Sequence, residues 1–201
     1  MNPSIISIEG TSGIGKSFLA AQLSALTRAP VIVEGGIGVI PDWIFESFHS
    51  SEDVRQRQQW FTERCVRAID HAQHIWHQAA MTCFVDSGPL THEAYLLEDE
   101  RAFAIEPYPY WVALRQRLPH VMIVLTASDE YIRESIVRRY RPAEQNEQTI
   151  LRALRVQRYC LQLVKDYDAL VIPRDGRDFS TERDLKWMWE TIQAATHSLH
   201  S

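Results

Sequence analysis

The 201-residue chain has few cysteines, no long apolar run and no excess of basic charge. Each shortage removes a class of protein. The three cysteines, Cys65, Cys83 and Cys160, are widely spaced and form no C-x-x-C pair, which argues against a disulfide framework or a structural zinc site. Cys83 sits in the apolar stretch 81–85 and reads as a small core residue rather than a reactive thiol. No segment reaches the roughly 18 uninterrupted apolar residues of a membrane span. The opening MNPSIISIEG has neither the basic nor the apolar region of a secretory signal. A cytoplasmic protein without membrane contact is the expectation. With 21 Lys and Arg against 26 Asp and Glu, a net charge of -5, no stable nucleic-acid partner is expected. Internal repeats, low-complexity tracts and linkers are missing too, so residues 1–201 read as one domain.

What is present is a core-forming composition, 45% hydrophobic, which excludes a disordered chain. Short apolar runs occur at 5–8, 31–33, 82–85, 121–125 and 170–172. Helical patterns separate them, at 16–26, 51–80, 129–139, 147–167 and from about 180 to just before His197. Near-continuous apolar strands alternating with helices predict an α/β fold, a parallel sheet covered on both faces. In the longest helix, Phe61, Cys65, Ala68, Ile69, Ala72 and Trp76 form one apolar stripe at spacings of three and four. Ser51 is expected to cap it, with Glu52 and Asp53 in the first turn. Ser128-Asp129-Glu130 opens the helix after the fourth strand, and Pro142 follows its end.

Residues 10–17 read Gly10-Thr11-Ser12-Gly13-Ile14-Gly15-Lys16-Ser17, which satisfies G-x-x-x-x-G-K-[ST] between a strand and a helix. The glycines let successive N–H groups turn toward an anion. The helix start adds further unpaired donors. Lys16 can reach the β- and γ-phosphates of a nucleoside triphosphate, and the Ser17 hydroxyl can ligate Mg²⁺. The motif alone does not choose between kinase, ATPase and GTPase.

Three further features suit phosphoryl transfer. Asp86 ends the third strand, where an acid commonly holds Mg²⁺; the alternative is a turn cap. Arg133, Arg138, Arg139 and Arg141 resemble the entry to a lid whose guanidinium groups suit a transferring phosphoryl group. The alternative is a solvated basic helix end. Glu34, before Gly35 and Gly36, can orient or deprotonate an acceptor hydroxyl, with an ordinary turn residue as the alternative. His71, His74 and His77 do not converge at their spacing and are not taken as metal ligands. His92 lies nearer the expected site.

Together these residues resemble the deoxynucleoside kinase and thymidylate kinase group over most of the chain. Ile8-Glu9-Gly10 resembles the group's first strand. Glu34 with downstream Trp43 resembles its strand-end glutamate and tryptophan. DSGPLTHEAY at 86–95 is similar to its D-R or E-R-S segment followed by a short helix, and Arg139-Tyr140-Arg141 with Glu144 to its lid. Arg174-Asp175-Gly176 opens a segment that resembles the loop flanking adenine. The resemblance implies a P-loop NTPase fold with strand order 2-3-1-4-5, ATP as phosphate donor, Mg²⁺ as cofactor, and possible pairing into a homodimer. It implies catalytic roles for Lys16, Glu34, Asp86, Arg139 and Arg141, and donor contacts from residues 10–17, Arg138, Arg174 and Gly176. Ser17 and Asp86 would hold the metal. Acceptor contacts are expected from Glu34, Trp43, Trp60, Phe61, Arg64 and Glu144. Trp60 and Arg64 share a helix face; core packing is the alternative for the tryptophans.

Two departures bear on the acceptor. The group's arginine after the strand-end acid is Ser87 here, and no T-R-E-P-G-G loop is present. The second departure favours a neutral hydroxyl acceptor over a 5′-monophosphate. The expected activity is therefore Mg²⁺-dependent transfer of the ATP γ-phosphate to a small-molecule hydroxyl, a nucleoside first. A nucleoside monophosphate, an antibiotic or another metabolite are the alternatives within that class. An ATPase or nucleotide switch without an acceptor is the alternative outside it.

Overall fold

A computed structural model describes residues 4–33, 50–103, 110–138 and 146–198. Five parallel strands form one sheet: β1 (Ile5–Glu9), β2 (Val31–Val33), β3 (Cys83–Asp86), β4 (Val121–Thr126) and β5 (Leu170–Pro173), in the order β2-β3-β1-β4-β5. This is the expected order. The helices are α1 (Lys16–Thr27), α2 (Ser51–Ala79), α3 (Pro89–Phe103), α4 (Tyr110–Arg115), α5 (Asp129–Arg138), α6 (Glu147–Leu163) and α7 (Glu182–Ser198). None of the described helices is long and apolar enough to cross a membrane.

Alternation along the central strands divides the core. Ile6 and Ile8 of β1, with Ile123 and Leu125 of β4, pack against Leu19 and Leu23 of α1, Ile132 and Ile136 of α5, and Met188 and Ile192 of α7. On the opposite face, Ile5 and Val85 meet Cys65, Ile69 and Ala72 of α2. Met122 and Val124 meet Leu90 and Ala94 of α3, and Val156 and Cys160 of α6. All three cysteines are free and buried.

Several element ends differ from expectation. The cap of α2 is Ser50, not Ser51: Ser50 Oγ accepts from Asp53 N at 3.2 Å while Asp53 Oδ2 accepts from Ser50 N at 2.9 Å. This reciprocal capping box satisfies two donors at once, so it outcompetes a cap one residue later. The β3 strand begins at Cys83 rather than Thr82, α6 ends at Leu163 rather than Tyr167, and α7 runs from Glu182 to Ser198. In place of a short helix after Asp86, α3 spans 15 residues. Its apolar stripe is broken because Thr91, His92, Glu93, Glu98 and Asp99 are buried.

The topology positions the site. β1 lies between β3 and β4, and Ile8 is level with both Asp86 and Ile123. Connections leave β1 on one side and return on the other, and ligands of open α/β sheets bind at the carboxyl end of such a reversal. Gly10 begins the loop at that point.

Candidate active site

The loop between β1 and α1 bends through three glycines of positive φ: Gly10 at 131°, Gly13 at 87° and Gly15 at 95°. At Gly10 and Gly13 the turn also leaves no room for a side chain. A Cβ on Gly10 would meet Leu125 O at 2.8 Å, and one on Gly13 would meet Ile136 Cγ1 at 2.9 Å. Gly15 caps α1 without any side-chain hydrogen bond, so the first N–H groups of the helix point outward with no side-chain partner. Lys16 Nζ spans the loop, donating to Gly10 O at 2.8 Å and Thr11 O at 3.0 Å. An ammonium has three donors, so one remains. Ser17 is exposed beside it.

The loop is fastened from outside. Gly10 N donates to Thr91 Oγ1 at 2.8 Å and Ser12 N to Tyr95 OH at 3.2 Å, both on α3. Thr11 turns its hydroxyl away from the loop interior and donates to Ala153 O of α6 at 2.7 Å. Ile14 is fully buried in the core. The side chains of Thr11 and Ile14 thus hold the loop's shape, and its inward surface is backbone.

Next to the loop, Asp86 closes β3 and is buried, with 7% of its surface exposed. Its Oδ1 has no hydrogen-bond partner among the described residues. A buried carboxylate oxygen without a donor suits a hard cation, and Mg²⁺ needs only one or two carboxylates when phosphates and water complete its shell. The open Asp86 oxygen therefore fits Mg²⁺.

Sequence reasoning gave Glu9 no role. This carboxylate is fully buried at the end of β1 and accepts from Gly88 N and Thr91 N, each at 3.0 Å, and from Ser7 Oγ. It caps α3 and fixes the turn after Asp86. Ser87 in that turn is buried, has a φ of 69°, and donates its N–H to Ile8 O at 3.1 Å. A Cβ on Gly88 would lie 2.2 Å from Glu9 Oε1. The glutamate was visible only as the residue before the first glycine.

On the α2 side, Trp60 and Phe61 meet edge to face, with ring centroids 5.0 Å apart, and Arg64 lies over Trp60 at 4.3 Å. Phe61 approaches His92 of α3 at 6.2 Å. Burial lowers the His92 pKa to about 4; Glu9 draws it upward and Lys16 downward, both more weakly. Gln58, one turn before Thr62 and buried with it, has an Nε2 without a partner among the described residues. Arg57 and Arg152 converge on buried Asp99, at 3.7 Å and 2.6 Å, and Arg152 also covers the Tyr95 ring at 4.8 Å. Burial first, and Arg152 second, lower the Arg57 pKa to about 10. Neither Gln58 nor this cluster was expected, because each depends on pairing between elements distant in sequence.

The other expected residues fall apart in space or outside the described chain. Arg138 pairs with Glu134 at 2.6 Å on the exposed side of α5, and Arg133 with Glu147 at 3.0 Å. Gly176 has a φ of 74° and open space around it. Arg174 is buried against the phosphate loop at Gly15. Glu34, Trp43, Arg139, Arg141 and Glu144 lie outside the described residues.

The family described as "AAA domain" matches residues 5–200. The chain belongs to that family. The fold is that of the thymidylate kinase and deoxynucleoside kinase group. Thymidylate kinase from Candida albicans superimposes with a TM-score of 0.66 at 18% identity, over 100% of this chain and 94% of that one. Deoxyadenosine kinase from M. mycoides, bound to dCMP and dCDP, gives 0.68 at 14% identity, over 94% of this AAA-domain chain and 99% of that one. The same enzyme with dCTP gives 0.59 at 13% identity over the same shares. No curated protein matches the sequence significantly.

Proposed function

We propose that this chain is an ATP- and Mg²⁺-dependent phosphotransferase acting as one domain, with a small-molecule hydroxyl, first that of a nucleoside, as acceptor. One juxtaposition carries the reading: the phosphate loop stands beside Asp86, whose buried oxygen awaits a partner. Loop N–H groups and the α1 start bind the phosphate chain, and Lys16 neutralises charge between the β- and γ-phosphates. Ser17 and Asp86 hold the metal, which supplies further charge neutralisation when bound. Glu34 orients the acceptor hydroxyl, and Arg139 and Arg141 meet the moving phosphoryl group; these three assignments rest on the motif resemblance. Rigid fastening of the loop by Thr91, Tyr95 and Ala153 keeps the donors aimed, which is where catalysis by positioning originates.

The acceptor class is supported by the α2–α3 wall. Gln58 offers a buried amide donor, which suits a carbonyl or ring nitrogen, and Phe61 one helical turn later offers a flat apolar surface. The kinases of similar fold act on nucleosides and nucleotides by name. The test incubates the protein with ATP, Mg²⁺ and a panel of nucleosides, nucleoside monophosphates and simple alcohols, followed by mass spectrometry. A mass gain of one phosphate on a nucleoside is the expected outcome. Triphosphate binding with no phosphorylated acceptor, and hydrolysis independent of all of them, would overturn it.

A further inference from the structure

Arg174 follows β5 and extends its pairing with β4, donating its N–H to Thr126 O at 2.7 Å. Its side chain is more than nine-tenths buried, with 8% exposed. The guanidinium lies over the Phe179 ring at 4.5 Å and near the Tyr131 ring at 5.7 Å. Among the described residues, only Nη2 of the side chain has a hydrogen bond, to Tyr131 OH at 2.9 Å. Nε and Nη1 are buried without a partner, and among the described residues no carboxylate forms an ion pair with this arginine. A guanidinium keeps its proton, so the site holds a permanent charge that no close ion pair neutralises among the described residues; Asp178 interacts with it only through space.

The location of that charge gives it a purpose. A Cβ on Gly15 would sit 3.8 Å from both Arg174 Nε and Nη2, so the guanidinium rests against the phosphate loop where α1 begins. The α1 start lacks a side-chain cap at that same residue. Two independent donor sets, a 12-residue helix's first N–H groups and a buried cation with two unpartnered nitrogens, therefore meet at Gly15. Both call for an anion.

We propose that Arg174 is a binding residue for the phosphate chain of the donor nucleotide, a second fixed cation that complements Lys16 from the opposite flank of the loop. This rests on the phosphotransferase reading and deepens it. The side chain is preorganised by two aromatic rings and one hydroxyl, so binding orders little that is not already ordered. Burial from water strengthens its hold on an anion. The same burial makes the ligand-free protein less stable than one with an uncharged side chain of similar shape there.

Inorganic tripolyphosphate tests this without a base or sugar. Calorimetric titration of tripolyphosphate, ATP and adenosine into wild type, Arg174→Met, Arg174→Lys and Lys16→Ala separates the possibilities, alongside thermal midpoints of the ligand-free proteins. Arg174→Met is expected to lower tripolyphosphate and ATP affinity about tenfold or more. Its ligand-free midpoint should match or exceed that of wild type. Arg174→Lys retains the charge but not the fork, and should recover part of the affinity. It also serves if the Met variant fails to fold. Unchanged tripolyphosphate affinity in a folded Arg174 variant overturns the inference. If Lys16→Ala loses binding in that case, the phosphotransferase reading survives. If wild type binds neither tripolyphosphate nor ATP, both fall.

Discussion

Glu9 and Asp86 end neighbouring parallel strands at nearly the same level, and both carboxylates are buried, yet their surroundings are opposite. Glu9 receives two backbone N–H groups and a serine hydroxyl. Asp86 keeps one oxygen with no protein donor among the described residues. A carboxylate whose lone pairs are filled from within holds the structure together. One left open by the same fold suits a ligand, as the proposed function requires of Asp86, because a buried polar atom ordinarily has a partner. The pair teaches that residue type and strand position do not decide the role; satisfaction does.

The contrast can be broken by exchanging the predicted effects. Asp86→Asn should lower triphosphate turnover by about a thousandfold, roughly 4 kcal/mol of transition-state stabilisation. Its urea midpoint should stay at the wild-type value; a large loss of stability would make Asp86 a second structural acid. Glu9→Ala should do the reverse. It strands three donors in the core and should cost about 3 kcal/mol of folding stability by urea titration. Near-wild-type stability would deny Glu9 its fastening role.

Gly88→Ala sharpens the same point from the other partner. The added methyl would lie 2.2 Å from Glu9 Oε1 and 2.8 Å from Ser7 Cβ. Glu9 cannot yield without losing its donors, so about 2 kcal/mol of destabilisation is expected, again measured by urea titration. An effect of similar size is the pH response of His92, a buried ring that feels the charges of Glu9 and Lys16. Its folded pKa of about 4 lies below the ordinary value of 6.5, because burial resists the charged form. The unfolded chain therefore binds the extra proton first. Stability attributable to neutral His92 is present above 6.5 and declines as pH falls toward about 4, by roughly 2 kcal/mol near pH 5. Thermal midpoints of wild type and His92→Gln from pH 7 downward should converge; parallel curves would remove His92 from the acid response.

Much of this was legible before the structure. The phosphate loop could be read because its chemistry depends on neighbours in sequence: glycines at fixed offsets, then lysine and serine at a helix start. The strand order followed from resemblance, and the five apolar runs located all five strands. What escaped notice depends on long-range pairing. The length of α3 was hidden because His92, Glu93, Glu98 and Asp99 interrupt its apolar periodicity, and their burial makes sense only with partners such as Arg115, Arg152 and Arg155. Gln58 carries no signal in the sequence, because its burial with Thr62 depends on how α2 packs. By resemblance Arg174 opens the loop flanking adenine; its contact with Gly15 becomes visible only once β5 lies beside β4.

The central place of β1 has a consequence for how the molecule breathes. Its five residues are buried and paired on both sides, whereas β2 and β5 are edge strands with exposed positions at Val33 and Val171. Amide protons of β1 are expected to exchange with solvent deuterium only when the whole chain opens, and those of the edge strands through smaller, more frequent excursions. The phosphate loop springs directly from this slowest-exchanging strand. A nucleotide arriving there meets the part of the protein that has least to lose in being held still.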